Sequence, residues 1–192
     1  MDPVAAAKLA LRDQLLTARR RRGLLEHNQA AQDIAAQLLS LPAMQRAATI
    51  AAYVSMADEP GTGPLVDAWD EAGRHTLLPV LLPDNDLDWA LYRGSGSLVS
   101  ASRGLLEPRG ERLGVEAIAR ADVVIVPGLA ADRTGLRLGR GGGSYDRALA
   151  RVPVGTPVLV LLYDDELLDE VPHADHDRRV SGAVTPGGVH WF

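Results

Sequence analysis

Two short runs constrain this chain more than anything else in it. Residues 121–130 read ADVVIVPGLA, and residues 157–163 read PVLVLLY. Each carries consecutive apolar residues, four of them β-branched in the first run, with no polar residue at alternate positions. A strand of that kind has no face to offer water. It belongs inside a sheet covered on both sides, which is the habit of parallel sheets with helices above and below.

The remaining chain supplies the covering layers. Residues 3–22 read as a helix, with Pro3 in the first turn and Gly23 as a stop, and a second helix spans 24–40 on Ile34, Leu38 and Leu39. The segment 61–73 reads as a third, with Thr62 as N-cap and Gly73 closing it. Strands are expected at 47–54, 75–81, 87–92 and 181–186, a short helix at 114–120 and another at 144–152. With neither repeat nor long linker in 192 residues, the expectation is an α/β fold. It forms a single domain spanning 1–192, with a central, mostly parallel sheet flanked by helices.

Composition narrows the function classes. With 46% apolar and 23% charged residues the chain is of ordinary globular make-up, and its net charge of −5 opposes binding to a nucleic-acid polyanion. The absence of cysteine removes disulfides and thiolate nucleophiles. Lys8, Arg12 and Asp13 interrupt the N-terminal apolar stretch, so it does not read as a signal peptide, and nothing approaches the ~18 apolar residues of a membrane span. A cytoplasmic protein with no membrane or nucleic-acid partner is expected. The run Arg19 to Arg22 reads as cations closing a helix C-terminus rather than as an RNA patch. His173, His176 and His190 read as surface-loop residues rather than zinc ligands. There is no GxSxG elbow, and Trp69, Trp89 and Trp191 read as packing residues.

The chemistry concentrates in residues 127–147, PGLAADRTGLRLGRGGGSYDR. This segment follows a strand, carries Gly135, Gly139, Gly141, Gly142 and Gly143, and opens into a helix. Bare amides can close on phosphate oxygens, and Arg137 and Arg140 can pair with them bidentately. Asp146 just inside the helix suits a hard divalent cation beside the phosphates. The order is neither that of a Walker A loop nor of a dinucleotide-binding turn.

The same segment resembles the signature of the 5-formyltetrahydrofolate cyclo-ligases: Pro127-Gly128, Ala130, Asp132, Gly135, Arg137-Leu138-Gly139, Gly141-Gly142-Gly143 and Tyr145-Asp146-Arg147. Lys8 and Arg12 resemble that family's N-terminal K-x-x-x-R. Glu59 resembles its acid after the first strand, and Gly104 to Pro108 its G-I-x-E-P turn. Val171-Pro172 with His176-Asp177 resembles its VP-x-x-x-H-D segment. Ala131 stands where the family usually has phenylalanine, and Ser144 where it has the first of two tyrosines.

The resemblance implies an open-sheet fold related to sugar-phosphate isomerases and coenzyme A transferases. It also implies ATP- and magnesium-dependent conversion of 5-formyltetrahydrofolate to 5,10-methenyltetrahydrofolate by a monomer. It assigns ATP to Lys8, Arg12, Arg137, Leu138, Gly139, Arg140, Gly141, Gly142, Gly143, Ser144 and Tyr145. The folate falls to Val54, Glu59, Arg140 and Ser144, magnesium to Asp146 and Asp177, and catalysis to Lys8, Arg140 and Tyr145. Two other readings stay open: an enzyme of similar fold phosphorylating another small acid or amide, and a non-catalytic nucleotide or RNA binder using the arginines.

Overall fold

The computed structural model describes residues 2–56, 58–175 and 177–192, so His176 lies outside the described residues. Helix α1 (Pro3–Arg19) starts where Asp2 accepts the N–H of Val4 at 3.1 Å and proline fills the first position. The chain continues through α2 (Leu24–Ser40), the single turn α3 (Pro42–Arg46), β1 (Thr49–Ala51) and α4 (Gly63–Glu71). Strands β2 (His75–Leu81) and β3 (Leu87–Leu91) then form a hairpin, followed by the small hairpin of β4 (Leu98–Ser100) and β5 (Leu106–Pro108). A 3-10 segment, Val115–Arg120, leads into β6 (Val123–Pro127), β7 (Ala130–Asp132), β8 (Arg137–Leu138) and α5 (Ser144–Leu149). Strands β9 (Val158–Leu161), β10 (Leu167–Leu168), β11 (Gly182–Thr185) and β12 (Gly188–Trp191) complete the order.

Among the described residues the main sheet has seven strands in the order β12-β11-β9-β6-β1-β2-β3. Its five inner strands are parallel, and an antiparallel strand closes each edge, β12 on β11 and β3 on β2. The two runs singled out in the sequence are β6 and β9, paired at the centre with Ile125 opposite Leu159. They send alternate residues to the two faces. Val123, Ile125, Leu159 and Leu161 join Ile34, Leu38 and Leu65 of α2 and α4, whereas Val124, Val126, Val158 and Val160 meet Ile118, Ala148 and Leu149. Each such buried aliphatic side chain contributes roughly 1.5–3 kcal/mol. Asp122 aligns the strand starts, accepting the N–H groups of Ala48 (2.8 Å) and Thr49 (3.0 Å).

A second, three-stranded sheet, β10-β7-β8, receives α1 through Leu15, Leu129, Leu136, Leu138 and Val171. Residues 135–143 are therefore not one loop: Arg137 and Leu138 pair with Ala131 and Ala130 before the chain turns into the glycines. Other boundaries also differ from the sequence expectation. Helix α1 stops at Arg19 because Arg21 and Arg22 donate to carbonyls three residues back, which tightens the last turn. Segment 114–120 is 3-10 rather than α-helical, and α5 ends at Leu149. Thr62 occupies the N-cap position of α4 without capping it. Its hydroxyl instead donates to the Tyr53 carbonyl (2.7 Å) and accepts the Ser55 N–H (3.0 Å). Those bonds shape residues 53–56, which leave β1 to form one wall of the cleft. No helix among the described residues is long and apolar enough to cross a membrane.

Candidate active site

Strand β1 leads to β2 on one side and, later in the chain, β6 lies on the other. The C-terminal ends of β1 and β6 thus flank the switch point of the sheet, where parallel α/β folds open a crevice. A cleft of about 420 Å³ lies there. Tyr53 and Val54 line it from the end of β1, Pro127 and Gly128 from the end of β6, and residues 137–146 from the loop beyond. The structure brings every residue named as a site candidate to this cleft: Lys8, Arg12, Val54, Glu59, Arg137, Leu138, Gly139, Arg140, Gly141, Gly142, Gly143, Ser144, Tyr145, Asp146 and Asp177.

The glycine segment presents amides rather than side chains. Gly143 sits at φ +69°, a left-handed conformation that a branched residue would strain, and it turns the chain into the six-residue α5. Among the described residues, no group accepts the N–H of Gly139, Arg140, Gly141, Gly142 or Gly143. Five unpaired donors beside two cations form a cradle for an anion. Arg12 closes on this segment from α1, its Nε donating to the Gly139 carbonyl at 2.8 Å. One turn earlier, Lys8 Nζ donates to Asp177 Oδ2 at 2.5 Å, and the Ala174 N–H reaches the same oxygen at 2.7 Å.

Asp146 faces the same corner. Its Oδ1 accepts from Arg137 Nη2 at 3.2 Å and from the N–H of Arg178, the neighbour of Asp177, at 3.3 Å. That bond draws the Asp177 backbone toward α5 and gives the cleft a pair of hard oxygen donors. No group of three or more His, Cys, Asp or Glu forms a metal cage among the described residues. Two carboxylates fit a magnesium ion that takes its other ligands from phosphates and water. Arg137 is buried, with Nη1 on the Pro127 carbonyl at 3.1 Å, so it ties the end of β6 to Asp146 from below.

Across the cleft, Arg140 donates to Glu59 Oε1 at 3.1 Å and to Asp58 Oδ1 at 2.5 Å. Glu59 is buried and also accepts the Met56 N–H at 2.9 Å. Burial, followed by the nearby Glu59 charge, pushes the phenols of Tyr53 and Tyr145 far above their ordinary value, so both stay protonated donors at neutral pH. The Tyr53 hydroxyl has no hydrogen-bond partner among the described residues. Toward β2 and β3 the lining turns apolar with Pro79, Leu81 and Leu87, and continues onto the β4–β5 hairpin with Leu105 and Leu106. The cleft is polar at one end and apolar at the other, as a ligand joining a phosphate chain to a flat heterocycle would need. Ala131 is wholly buried between the strands of the small sheet, so that departure concerns packing, whereas Ser144 lies in the cleft lining.

Sequence reasoning missed several residues that build this site. Arg19 is completely buried; its Nε and Nη2 fork onto Glu166 at 2.7 Å each, and Nη2 also reaches the Gly128 carbonyl at 2.6 Å. Arg19 stands in the last turn of α1, as its place in the run of arginines implied, but its side chain turns inward. Arg147 fastens the glycine segment to the β2–β3 turn through the carbonyls of Asn85 (3.0 Å) and Gly142 (3.3 Å). Nothing in either residue's local sequence points to these partners, although Arg147 sits inside the recognised motif.

Similarity to known proteins agrees with this geometry. The chain matches the family model described as the 5-formyltetrahydrofolate cyclo-ligase family over residues 4–186. It is 45% identical over 143 residues to the 5-formyltetrahydrofolate cyclo-ligase of Mycolicibacterium smegmatis, covering 72% of this chain and 73% of that one. It is 33% identical over 180 residues to the Escherichia coli enzyme of the same name, covering 88% and 96%. The solution structure of Aquifex aeolicus 5,10-methenyltetrahydrofolate synthetase superposes with a TM-score of 0.83 at 27% identity, covering 96% of this chain and 92% of that one. With the signature loop, the sheet and the cleft all in agreement, this chain belongs to the 5-formyltetrahydrofolate cyclo-ligase family and is an enzyme.

Proposed function

We propose that the cleft uses ATP and magnesium to close 5-formyltetrahydrofolate into 5,10-methenyltetrahydrofolate, releasing ADP and phosphate. The observation that carries this reading is the row of five unpaired amides at residues 139–143, set opposite Lys8 and Arg12 and opening onto an apolar pocket. The chemistry asks for that layout. A formamide carbon resists attack, so the formyl oxygen first takes the γ-phosphoryl group and ADP leaves. The neighbouring amine then attacks the activated carbon, loses its proton and expels phosphate as the ring closes.

Each residue then has a task that its position suits. The amides of residues 139–143, with Lys8 and Arg12, hold the triphosphate and meet the charge that develops on its oxygens. Asp146 and Asp177 would hold magnesium, which when bound draws charge from the phosphate chain. Lys8, which rests on the Asp177 carboxylate, would turn toward the phosphates of a bound nucleotide. Glu59 and Val54 receive the pterin, and Arg140, already on Glu59, links the two ends of the cleft. Tyr145, held protonated, donates toward the transferring group. Every group is supplied by one chain, and we read the enzyme as a cytoplasmic monomer.

The phosphorylated intermediate makes a direct demand on isotope labelling. With ¹⁸O in the formyl group, the label is expected in the released phosphate. Label appearing in water would contradict phosphoryl transfer to the formyl oxygen.

A further inference from the structure

The apolar end of the cleft finishes at a residue that breaks a local rule. Arg103 lies in the turn between β4 and β5 at φ +59°, ψ +22°, followed by Gly104 at φ +74°. Two successive positive φ angles, closed by the Leu105 N–H on the Ser102 carbonyl at 3.1 Å, make a type I′ hairpin turn. The first central position of such a turn favours asparagine, aspartate or glycine, and a long side chain there is strained. Strain of this kind persists where a side chain is needed.

The electrostatics of the cleft say what for. Among the described residues its lining holds five cations. Lys8 is on Asp177, Arg12 on the Gly139 carbonyl, Arg137 on Asp146 and Arg140 on Glu59. Arg103 has no hydrogen bond or ion pair with any described residue. Its hairpin is fixed to the far side of the sheet from the phosphate cradle, since Glu107 on β5 accepts the Leu81 N–H of β2 at 3.0 Å. Strand β2 lies two strands from β6, about 10 Å across the sheet. A reduced folate with its pterin at Glu59 would point its other end this way. That end is a glutamate, anionic at neutral pH.

We propose that Arg103 is a substrate-specificity residue, pairing with a carboxylate of the folate's glutamyl tail. This rests on the folate reading of the cleft. The test compares 5-formyltetrahydrofolate with 5-formyltetrahydropteroyl amide, which has the same reacting centre and neither glutamate nor any other carboxylate, in the wild-type enzyme and in Arg103→Asn. Asparagine suits the turn, so the variant is expected to fold and to melt at or above the wild-type temperature. The wild type is expected to favour the glutamate-bearing substrate in kcat/KM by roughly tenfold, the scale of one charge-assisted pair, with the preference carried by KM. In Arg103→Asn that ratio should fall toward one. A ratio that the substitution leaves unchanged overturns the proposal while the folate reading stands. Failure of the wild type to convert either substrate overturns both.

Discussion

Two kinds of charged residue serve this cleft, and they call for opposite tests. Lys8 and Asp146 face the cradle and carry little of the fold. Lys8→Ala and Asp146→Asn are therefore expected to cut turnover by roughly a hundredfold or more, Lys8 as a cation that meets developing charge and Asp146 as a carboxylate that would hold the metal. Thermal melts should stay close to wild type; near-normal turnover in both variants would contradict their assignment. Arg19 is the reverse case, touching no substrate position. It is wholly buried on Glu166 and the Gly128 carbonyl, and removing it leaves a buried carboxylate uncompensated. Arg19→Ala is expected to cost about 3–5 kcal/mol in urea unfolding. A loss under 1 kcal/mol would mean that Glu166 finds water or another donor.

At the scale of elements, the small sheet that carries the cradle hangs on Asp132. Burial alone would raise its carboxyl, but bonds donated by the Thr134 hydroxyl and by the N–H groups of Val171, Thr134 and Leu136 hold it below the usual range. A depressed folded value means the stabilisation is complete above the unfolded pKa of about 4 and is lost as pH falls through the folded value. Between about pH 5 and pH 3, the wild type should therefore lose stability more steeply than Asp132→Asn, as followed by urea midpoints. Parallel slopes would contradict the role. The legibility of the elements follows from their periodicity. Helix α2 at 24–40 and strand β2 at 75–81 stand where the pattern predicts them, and the apolar runs at β6 and β9 lie at the sheet centre. Strands β7, β8 and β10, of two or three residues, are too short to carry a period, and the edge strand β12, with its exposed His190 and Trp191, turns only Val189 onto the core. The place of Arg19 at the end of α1 was legible, but its burial was not, because its partner Glu166 lies 147 positions away.

The whole molecule places its chemistry where the order of the parallel strands reverses, between β1 and β6. The core strands end at one crevice, α1 crosses over to supply Lys8 and Arg12, and the chain from β6 to α5 supplies the amides and Asp146. The candidate residues were legible because they sit in one motif-dense segment and a few matching outliers. At the opposite end of the cleft, built from the β2–β3 and β4–β5 hairpins, only the segment Gly104 to Pro108 left such a trace, since the rest of its apolar lining is ordinary residue by residue. The central claim is that these parts form one ATP-driven cyclising site. The most direct test follows absorbance in the methenyl-folate band after 5-formyltetrahydrofolate, ATP and magnesium are added to the purified protein, with each left out in turn. A rise that needs all three is expected. A rise without ATP, or none with all three present, would contradict that claim.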